Sequence, residues 1–141
     1  MTLIELMLVI AIIATLSAIA VPTFNTYVER ARTTRVIAEI RALQQELTAY
    51  EIEGNLPASL ADIGKANLRD PWGNPYQYQN FALVPKGHWR KDRFLVPINT
   101  SFDLWSMGPD GQSKPPLTAK PSRDDIIRAN DGGYIGPASR Y

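Results

Sequence analysis

Residues 1–20 read MTLIELMLVIAIIATLSAIA, and this apolar run decides the fold. It contains one charged residue, Glu5, and the first basic residue of the chain is Arg30. About 20 apolar residues at 1.5 Å each match the ~30 Å hydrocarbon core of a bilayer, so the run predicts a membrane-spanning helix. A secretory signal peptide would instead begin with basic residues and have a shorter apolar core.

Glu5 is the unusual residue of this run, because a carboxylate inside hydrocarbon costs roughly 2.5 kcal/mol or more. The one cation within reach is an amino group at Met1. A neighbouring copy that is shifted along the helix axis presents that amine more easily than the same helix does. Glu5 therefore indicates assembly, and the alternative is a protonated Glu5 in a lone anchor.

The helix is expected to continue beyond the apolar run. Pro22 lacks a backbone donor, which predicts a kink or local melting there. From residue 23 to about residue 53, apolar side chains recur at helical spacing, and Gly54 is a typical helix end. The expected divisions are a hydrophobic helix over 1–22, an amphipathic helix over 23–54 and a head over 55–141.

The predicted fold is α+β, with the long N-terminal helix packed on a small antiparallel β-sheet. Alternating side chains predict three short strands, Tyr76–Gln79, Phe94–Val96 and Phe102–Ser106. Residues 84–101, between the first and third of these strands, are expected to form an extended hairpin. This segment is basic and contains Trp89, which is compatible with a groove for an anionic partner or with a surface loop that packs one aromatic ring.

Three aspartates near the C-terminus are a candidate cation site. Asp110 lies in a glycine-containing turn, and Asp124 and Asp125 follow a polar, proline-rich loop that could bring them together. Calcium takes about six to eight oxygen ligands, which carboxylates and loop carbonyls supply. The same loop contains Lys114 and Lys120, so a lysine ion pair in place of the metal is also open.

Two segments carry a resemblance to a known family. The run Thr2–Leu6, with the apolar residues that follow it, resembles the processed N-terminus of the type IV pilin and type II secretion pseudopilin superfamily. The segment Asp70–Tyr76, DPWGNPY, is similar to one in the major pseudopilins of type II secretion. The resemblance implies a pilin-like fold, a processed and N-methylated N-terminus at Met1, and a Glu5 that promotes subunit docking.

The resemblance also implies a calcium-binding loop. Asp110 and Asp124 would be side-chain ligands, Asp125 a ligand or local support, and the carbonyl of Met107 a backbone ligand. In this chain the loop, residues 112–121, is longer than in the resembling proteins. Residues 84–101 would likewise be an insertion, because the resembling proteins often have a shorter connection there.

The function implied by the resemblance is that of a filament subunit, the major pseudopilin of a type II secretion system. Its expected partners are further copies of itself, minor pilin-like subunits, an inner-membrane assembly platform, a prepilin peptidase and, before assembly, membrane lipid. The head would lie in the periplasm, with the helix anchored in the inner membrane. The alternative is the major type IV pilin of an extracellular fibre for adhesion, motility or DNA uptake.

Other classes of function have little support in the sequence. The chain has no cysteine, a single histidine, His88, and no glycine-rich phosphate loop, so an enzyme is not expected. The net charge is +1, which gives no reason to expect nucleic acid as a partner. A monomeric, membrane-anchored binding domain remains an alternative, but it would leave Glu5 without a partner.

Overall fold

The structure is a computed structural model that describes residues 1–141. The chain comprises two units, Met1–Arg32 and Thr33–Tyr141. The helix α1, Leu3–Ile52, contributes to both of them and continues without interruption through Pro22. The predicted local melting at Pro22 is therefore wrong for the single chain. Proline removes one backbone bond, and nearby threonine hydroxyls donate to carbonyls of the preceding turn, Thr23 to Ile19 at 2.9 Å and Thr26 to Pro22 at 3.1 Å.

In the first unit, every residue from Met1 to Tyr27 is exposed to solvent. Large apolar side chains therefore line this part of α1 and are exposed. By length and composition, α1 is apolar enough to cross a membrane. Its first half fits hydrocarbon or the interior of an assembly, because an isolated helix in water does not keep such a surface exposed.

The C-terminal end of α1 is capped by glycine, as predicted. Gly54 has a φ of +74°, and its N–H donates to the carbonyl of Glu51 at 3.0 Å. The next N–H, of Asn55, donates to the carbonyl of Tyr50 at 2.9 Å. These two bonds satisfy carbonyls that a helix end otherwise leaves free.

In the second unit, α1 buries one stripe of apolar side chains at helical spacing: Val36, Ile40, Leu43 and Leu47. The stripe packs in one cluster with Phe102, Leu104 and Ile126 of the sheet. The hydroxyl of Tyr76, next to the sheet, donates to the carboxylate of Glu39 on α1. The amphipathic second half of the helix is thus confirmed, and the core of the head lies between it and the sheet.

The sheet has four antiparallel strands in sequential order. They are β1 (Gln77–Asn80), β2 (Phe102–Ser106), β3 (Ile126–Ala129) and β4 (Tyr134–Pro137). Tyr78 lies opposite Leu104, and Ile127 lies opposite Gly136. The α+β class is confirmed, since the helix and a small antiparallel sheet form the head.

Two of the strands, β3 and β4, are not among those predicted from sequence. All four residues of β3 are buried, including Arg128, so β3 has no alternation of polar and apolar residues to detect. The guanidinium of Arg128 lies 3.8 Å from the ring centre of Phe102 and donates to the carbonyl of Phe102 at 2.9 Å. These contacts allow a charged residue to occupy a core position.

The segment Phe94–Val96, predicted as a strand, is a turn in which Leu95 has a φ of +60°. The insertion 84–101 forms a loop with a short 3-10 helix, Lys86–His88, and two isolated bridges at Lys91, to Pro97 and to Pro116, instead of an extended hairpin. Proline and the left-handed residue prevent a regular ladder. Trp89 in this loop stacks on Phe81 with ring centres 3.9 Å apart, and its indole N–H donates to a carbonyl, so it is a packed aromatic.

The turn after β2 depends on Gly108. Its φ is +67°, and a Cβ at this position would overlap the backbone carbonyl of Asp124. Gly54 has a similar φ of +74°, but a Cβ there would meet open space. The two glycines therefore separate backbone strain from steric overlap.

We expect Gly108→Ala to lower the free energy of unfolding by roughly 3 kcal/mol, because strain and overlap both act. Gly54→Ala, the matched control, is expected to cost about 1 kcal/mol from strain alone. Urea unfolding of the chain in detergent, followed by tryptophan fluorescence in the presence of chelator, measures both. Equal losses in the two variants would contradict the close approach of Gly108 to Asp124.

Candidate functional site

The structure brings together the three aspartates that the sequence singled out. One carboxylate oxygen each from Asp110, Asp124 and Asp125 lies within 4.8 Å of the other two. Asp110 is exposed, Asp124 is half-buried and Asp125 is fully buried. The backbone N–H of Asp110 donates to the carboxylate of Asp124 at 3.1 Å, which joins the two arms of the loop.

The fold explains why these residues meet. Asp110 lies in the turn that follows β2, and Asp124 and Asp125 come directly before β3. Because β2 and β3 are antiparallel neighbours, the end of one strand and the start of the other lie at the same edge of the sheet. Met107 lies at this edge too, immediately after β2, so its carbonyl stays a predicted backbone ligand.

The segment DPWGNPY holds the turn after β2 in place. The buried carboxylate of Asp70 accepts the backbone N–H groups of Trp72 and Asn74, at 3.1 and 2.8 Å, and the hydroxyl of Ser106 at 2.7 Å. Ser106 in turn accepts the N–H of Gly108 at 3.2 Å, and the Asn74 amide donates to the Gly108 carbonyl at 3.0 Å. This segment therefore positions one arm of the acidic cluster.

The carboxylates of the cluster are in an unfavourable environment for negative charge. Burial raises the pKa of Asp125 to about 7, against the opposing effects of a hydrogen bond from Ser113 and the positive charge of Arg90. Burial also raises the pKa of Asp124, and the neighbouring Asp110 carboxylate adds to the increase. One buried oxygen of Asp124 and one of Asp125 have no hydrogen-bond donor. A cation at this position would compensate these oxygens.

A lysine does not fill this role. Neither Lys114 nor Lys120 forms an ion pair with a carboxylate of the acidic cluster. The support that is present comes from other side chains, which the sequence did not single out. Ser113 donates its hydroxyl to Asp125, and the buried guanidinium of Arg90 stacks 3.8 Å from the ring centre of Trp105 and acts on the charge of Asp125.

The donor set fits calcium in kind and in spacing. All donors are oxygens, which hard cations prefer, and two oxygens on opposite sides of one calcium ion lie about 4.6 to 5.2 Å apart. The observed limit of 4.8 Å for the three carboxylates is compatible with a shared ion. One buried oxygen each of Asp124 and Asp125 lacks a hydrogen-bond donor and has capacity to bind an ion. The identity of the metal stays a prediction.

The N-terminus shows a contact that the sequence interpretation missed. The backbone N–H of Thr2 donates to the carboxylate of Glu5 at 2.7 Å, and the N–H of Glu5 donates to the hydroxyl of Thr2 at 3.2 Å. This is a capping box, and its sequence signature, threonine followed three residues later by glutamate, was present in the chain. The expectation that a lone anchor leaves Glu5 without a partner is therefore wrong, because Thr2 of the same chain contacts it.

Comparison with curated proteins gives relatives from two groups. The chain is 30% identical over 118 residues to type II secretion system core protein G of Escherichia coli (strain K12), across 79% of this chain and 81% of that protein. The protein of the same name from Aeromonas hydrophila is 29% identical over 134 residues, across 79% and 83% of the two chains. Fimbrial protein Q of Moraxella bovis is 46% identical over 65 residues, which are 46% of this chain and 39% of that protein.

No family model and no solved structure matches the chain. The match to the core protein G sequences nevertheless extends over most of both partners, whereas the higher identity to the fimbrial protein is confined to a shorter stretch. The helix, the four-stranded sheet and the similarity over four fifths of the chain agree with one another. The chain therefore belongs to the family of type II secretion system core protein G, the major pseudopilins, within the wider pilin superfamily.

Proposed function

We propose that this chain is the major structural subunit of a pilus-like filament of a type II secretion system, assembled from the inner membrane to drive protein export. The observation that carries the proposal is the first half of α1, whose apolar side chains are exposed from Met1 to Tyr27. Packing of such helices against one another buries this surface, and lipid covers it before assembly. The relatives named for secretion and for fimbriae support a structural function and not an enzymatic one.

Glu5 would set the register between subunits. Its carboxylate carries the only charge in the apolar run, and within the chain it accepts a single backbone N–H, that of Thr2. A carboxylate has capacity for further donors, so the amine of Met1 from a neighbouring copy could pair with it in the filament. The head would then face the periplasm, and minor pilin-like subunits and an inner-membrane platform would complete the apparatus.

We also propose that Asp110, Asp124 and Asp125 hold a calcium ion, with the Met107 carbonyl as a further ligand. The ion would fasten the turn after β2 to the start of β3, since the carboxylates belong to both. It would supply charge compensation and no reaction chemistry. The chain has no cysteine and so no disulfide, and coordination of the ion would be the link that closes the C-terminal loop.

The second candidate function is that of a type IV pilin in an extracellular fibre, which the 46% identity to a fimbrial protein over 65 residues favours. Electron microscopy of cells that express the chain at native level, labelled with an antibody to the head, separates the two. Label confined to the envelope supports the secretion pseudopilin. Long labelled surface fibres would contradict the secretion function and support that of a type IV pilin.

We predict that Glu5→Gln reduces filament yield about tenfold or more, because the variant keeps a capping box but loses the charge that pairs with a neighbouring amine. Thr2→Ala is the matched control, since it breaks the box and keeps the charge. It is expected to cost about 1 kcal/mol of helix stability and to leave filament yield within about twofold. Sedimentation of sheared filaments, with immunoblotting of membrane-anchored subunit, measures both. Normal yield from Glu5→Gln would contradict the docking role.

We predict that calcium at about 100 times its dissociation constant raises the free energy of unfolding by about 2.7 kcal/mol. Asp124→Asn should remove most of this increase, because it takes a charged ligand from the ion. Glu53→Gln, an exposed carboxylate outside the cluster, should leave the increase unchanged. Urea unfolding in calcium and in chelator measures the difference. A wild-type chain that does not respond to calcium, or an Asp124→Asn loss of equal size in chelator, would contradict a metal site.

A further inference from the structure

The basic residues of this chain are concentrated in two loops of the head. Residues 84–101 and 112–123, together the basic loops, contain seven of the 15 lysines and arginines but only one of the 14 acidic residues, Asp92. The seven are Lys86, Arg90, Lys91, Arg93, Lys114, Lys120 and Arg123. The net charge of +1 for the whole chain therefore conceals a strongly positive region.

The structure joins the two basic loops side by side. The N–H of Lys91 donates to the carbonyl of Pro115 at 3.0 Å, and the N–H of Leu117 donates to the carbonyl of Lys91 at 2.9 Å. The Arg90 side chain also donates to the carbonyl of Lys114. Only Arg90 among the seven is buried, so the other positive charges are accessible to a partner.

A cleft of about 510 Å³ opens between the basic loops and the C-terminal residues. Its walls include two guanidinium groups, of Arg93 and Arg123, the carboxylate of Asp92, and the apolar or aromatic side chains of Phe94, Leu117 and Tyr141. The Arg93 guanidinium lies 4.8 Å from the ring centre of Phe94. The Nε–H of Arg123 donates to the carbonyl of Thr118 at 3.2 Å, and the two terminal nitrogens of this guanidinium are the donors that a ligand would use. The size and the mixture of walls are typical of a binding site.

The edge of the cleft is a hydrogen-bonded turn that presents apolar side chains to solvent. Phe94, Leu95 and Val96 are 71%, 63% and 54% exposed. The Asp92 carboxylate accepts the N–H groups of Phe94 at 2.8 Å and Val96 at 3.0 Å, and Leu95 has a φ of +60°. Three consecutive exposed apolar residues on a strained turn indicate a contact surface, because such a surface without a partner favours aggregation. Asp92, the one acidic residue of the loops, is engaged in holding the turn.

We infer that this cleft binds an extended acidic segment of a partner protein, one that also carries an apolar side chain. Carboxylates of the segment pair with Arg93 and Arg123, and the apolar side chain packs on Phe94 and Leu117. Bidentate pairing suits guanidinium groups, and the apolar walls need a ligand with apolar surface. A peptide supplies both in one short segment, with carboxylates that match the guanidinium fork. This binding role is separate from polymerisation and goes beyond the proposed structural function.

The test uses the full chain in nanodiscs of neutral phosphatidylcholine and a short fluorescein-labelled peptide of glutamate and serine with one central phenylalanine. Fluorescence anisotropy measures its affinity. We expect the double variant Arg93→Gln/Arg123→Gln to weaken binding about tenfold or more, because two charge-assisted contacts are lost. Phe94→Ala, and separately a peptide with serine in place of phenylalanine, should each weaken binding about fivefold.

The matched control is Arg41→Gln/Arg69→Gln, which removes the same charge from exposed positions outside the cleft and should change affinity less than about twofold. An equal loss in the control would show non-specific attraction and overturn the inference. Displacement of the peptide by duplex DNA or by phosphatidylglycerol vesicles at lower concentration than by unlabelled peptide would also overturn it. If peptide binding is lost as the concentration of the chain rises, a second copy of the chain competes for the cleft. That result would overturn the inference and assign the cleft to contacts between copies.

Discussion

The head depends on the burial of one apolar stripe of α1 against the sheet. Each fully buried aliphatic side chain contributes about 1.5 to 3 kcal/mol, and the four residues of the stripe, Val36, Ile40, Leu43 and Leu47, are all buried. All five residues of β2 are buried as well, so this strand is the centre of the head. The first half of α1 is exposed, and its apolar surface needs lipid or other subunits. The second half of α1 thus contributes to the core of the head, and the first half presents an exposed apolar surface.

Polar contacts then determine where the candidate sites lie. Asp70, Ser106 and Gly108 form a hydrogen-bonded series that fixes the turn after β2, and the aspartate cluster is at the same edge. The loop 112–123 takes part in both regions of interest, since Ser113 contacts Asp125 and Leu117 lines the basic cleft. The aspartate cluster and the cleft therefore share one loop, so we expect a change in the conformation of this loop to affect both of them.

The sequence singled out Glu5 and the three aspartates as candidates, but it did not reveal all of the contacts that surround them. Glu5 was conspicuous because charge is costly in an apolar run, but its capping box with Thr2 was overlooked, although the spacing was visible. The three aspartates were expected to meet, and they do. Arg90 and Ser113, which act on Asp125, were not expected, because no local pattern relates residues that come together only through loop pairing.

The sequence by itself determined the long helix with its two unlike halves, the glycine end of that helix, the strands β1 and β2, and the α+β class, because these follow from short-range periodicity and backbone preference. Only the tertiary structure decided that β3 is a strand, since its fully buried residues and the stacked Arg128 erase the alternation that marks a strand in sequence. It also decided that Phe94–Val96 is an exposed turn, because the Asp92 carboxylate and the left-handed Leu95 outweigh the strand preference of those residues. Packing of β3 inside the head produces the first outcome, and no local pattern contains it. The second outcome is a competition between the Asp92 hydrogen bonds and the strand preference of the same residues, and its result is visible only in the folded chain.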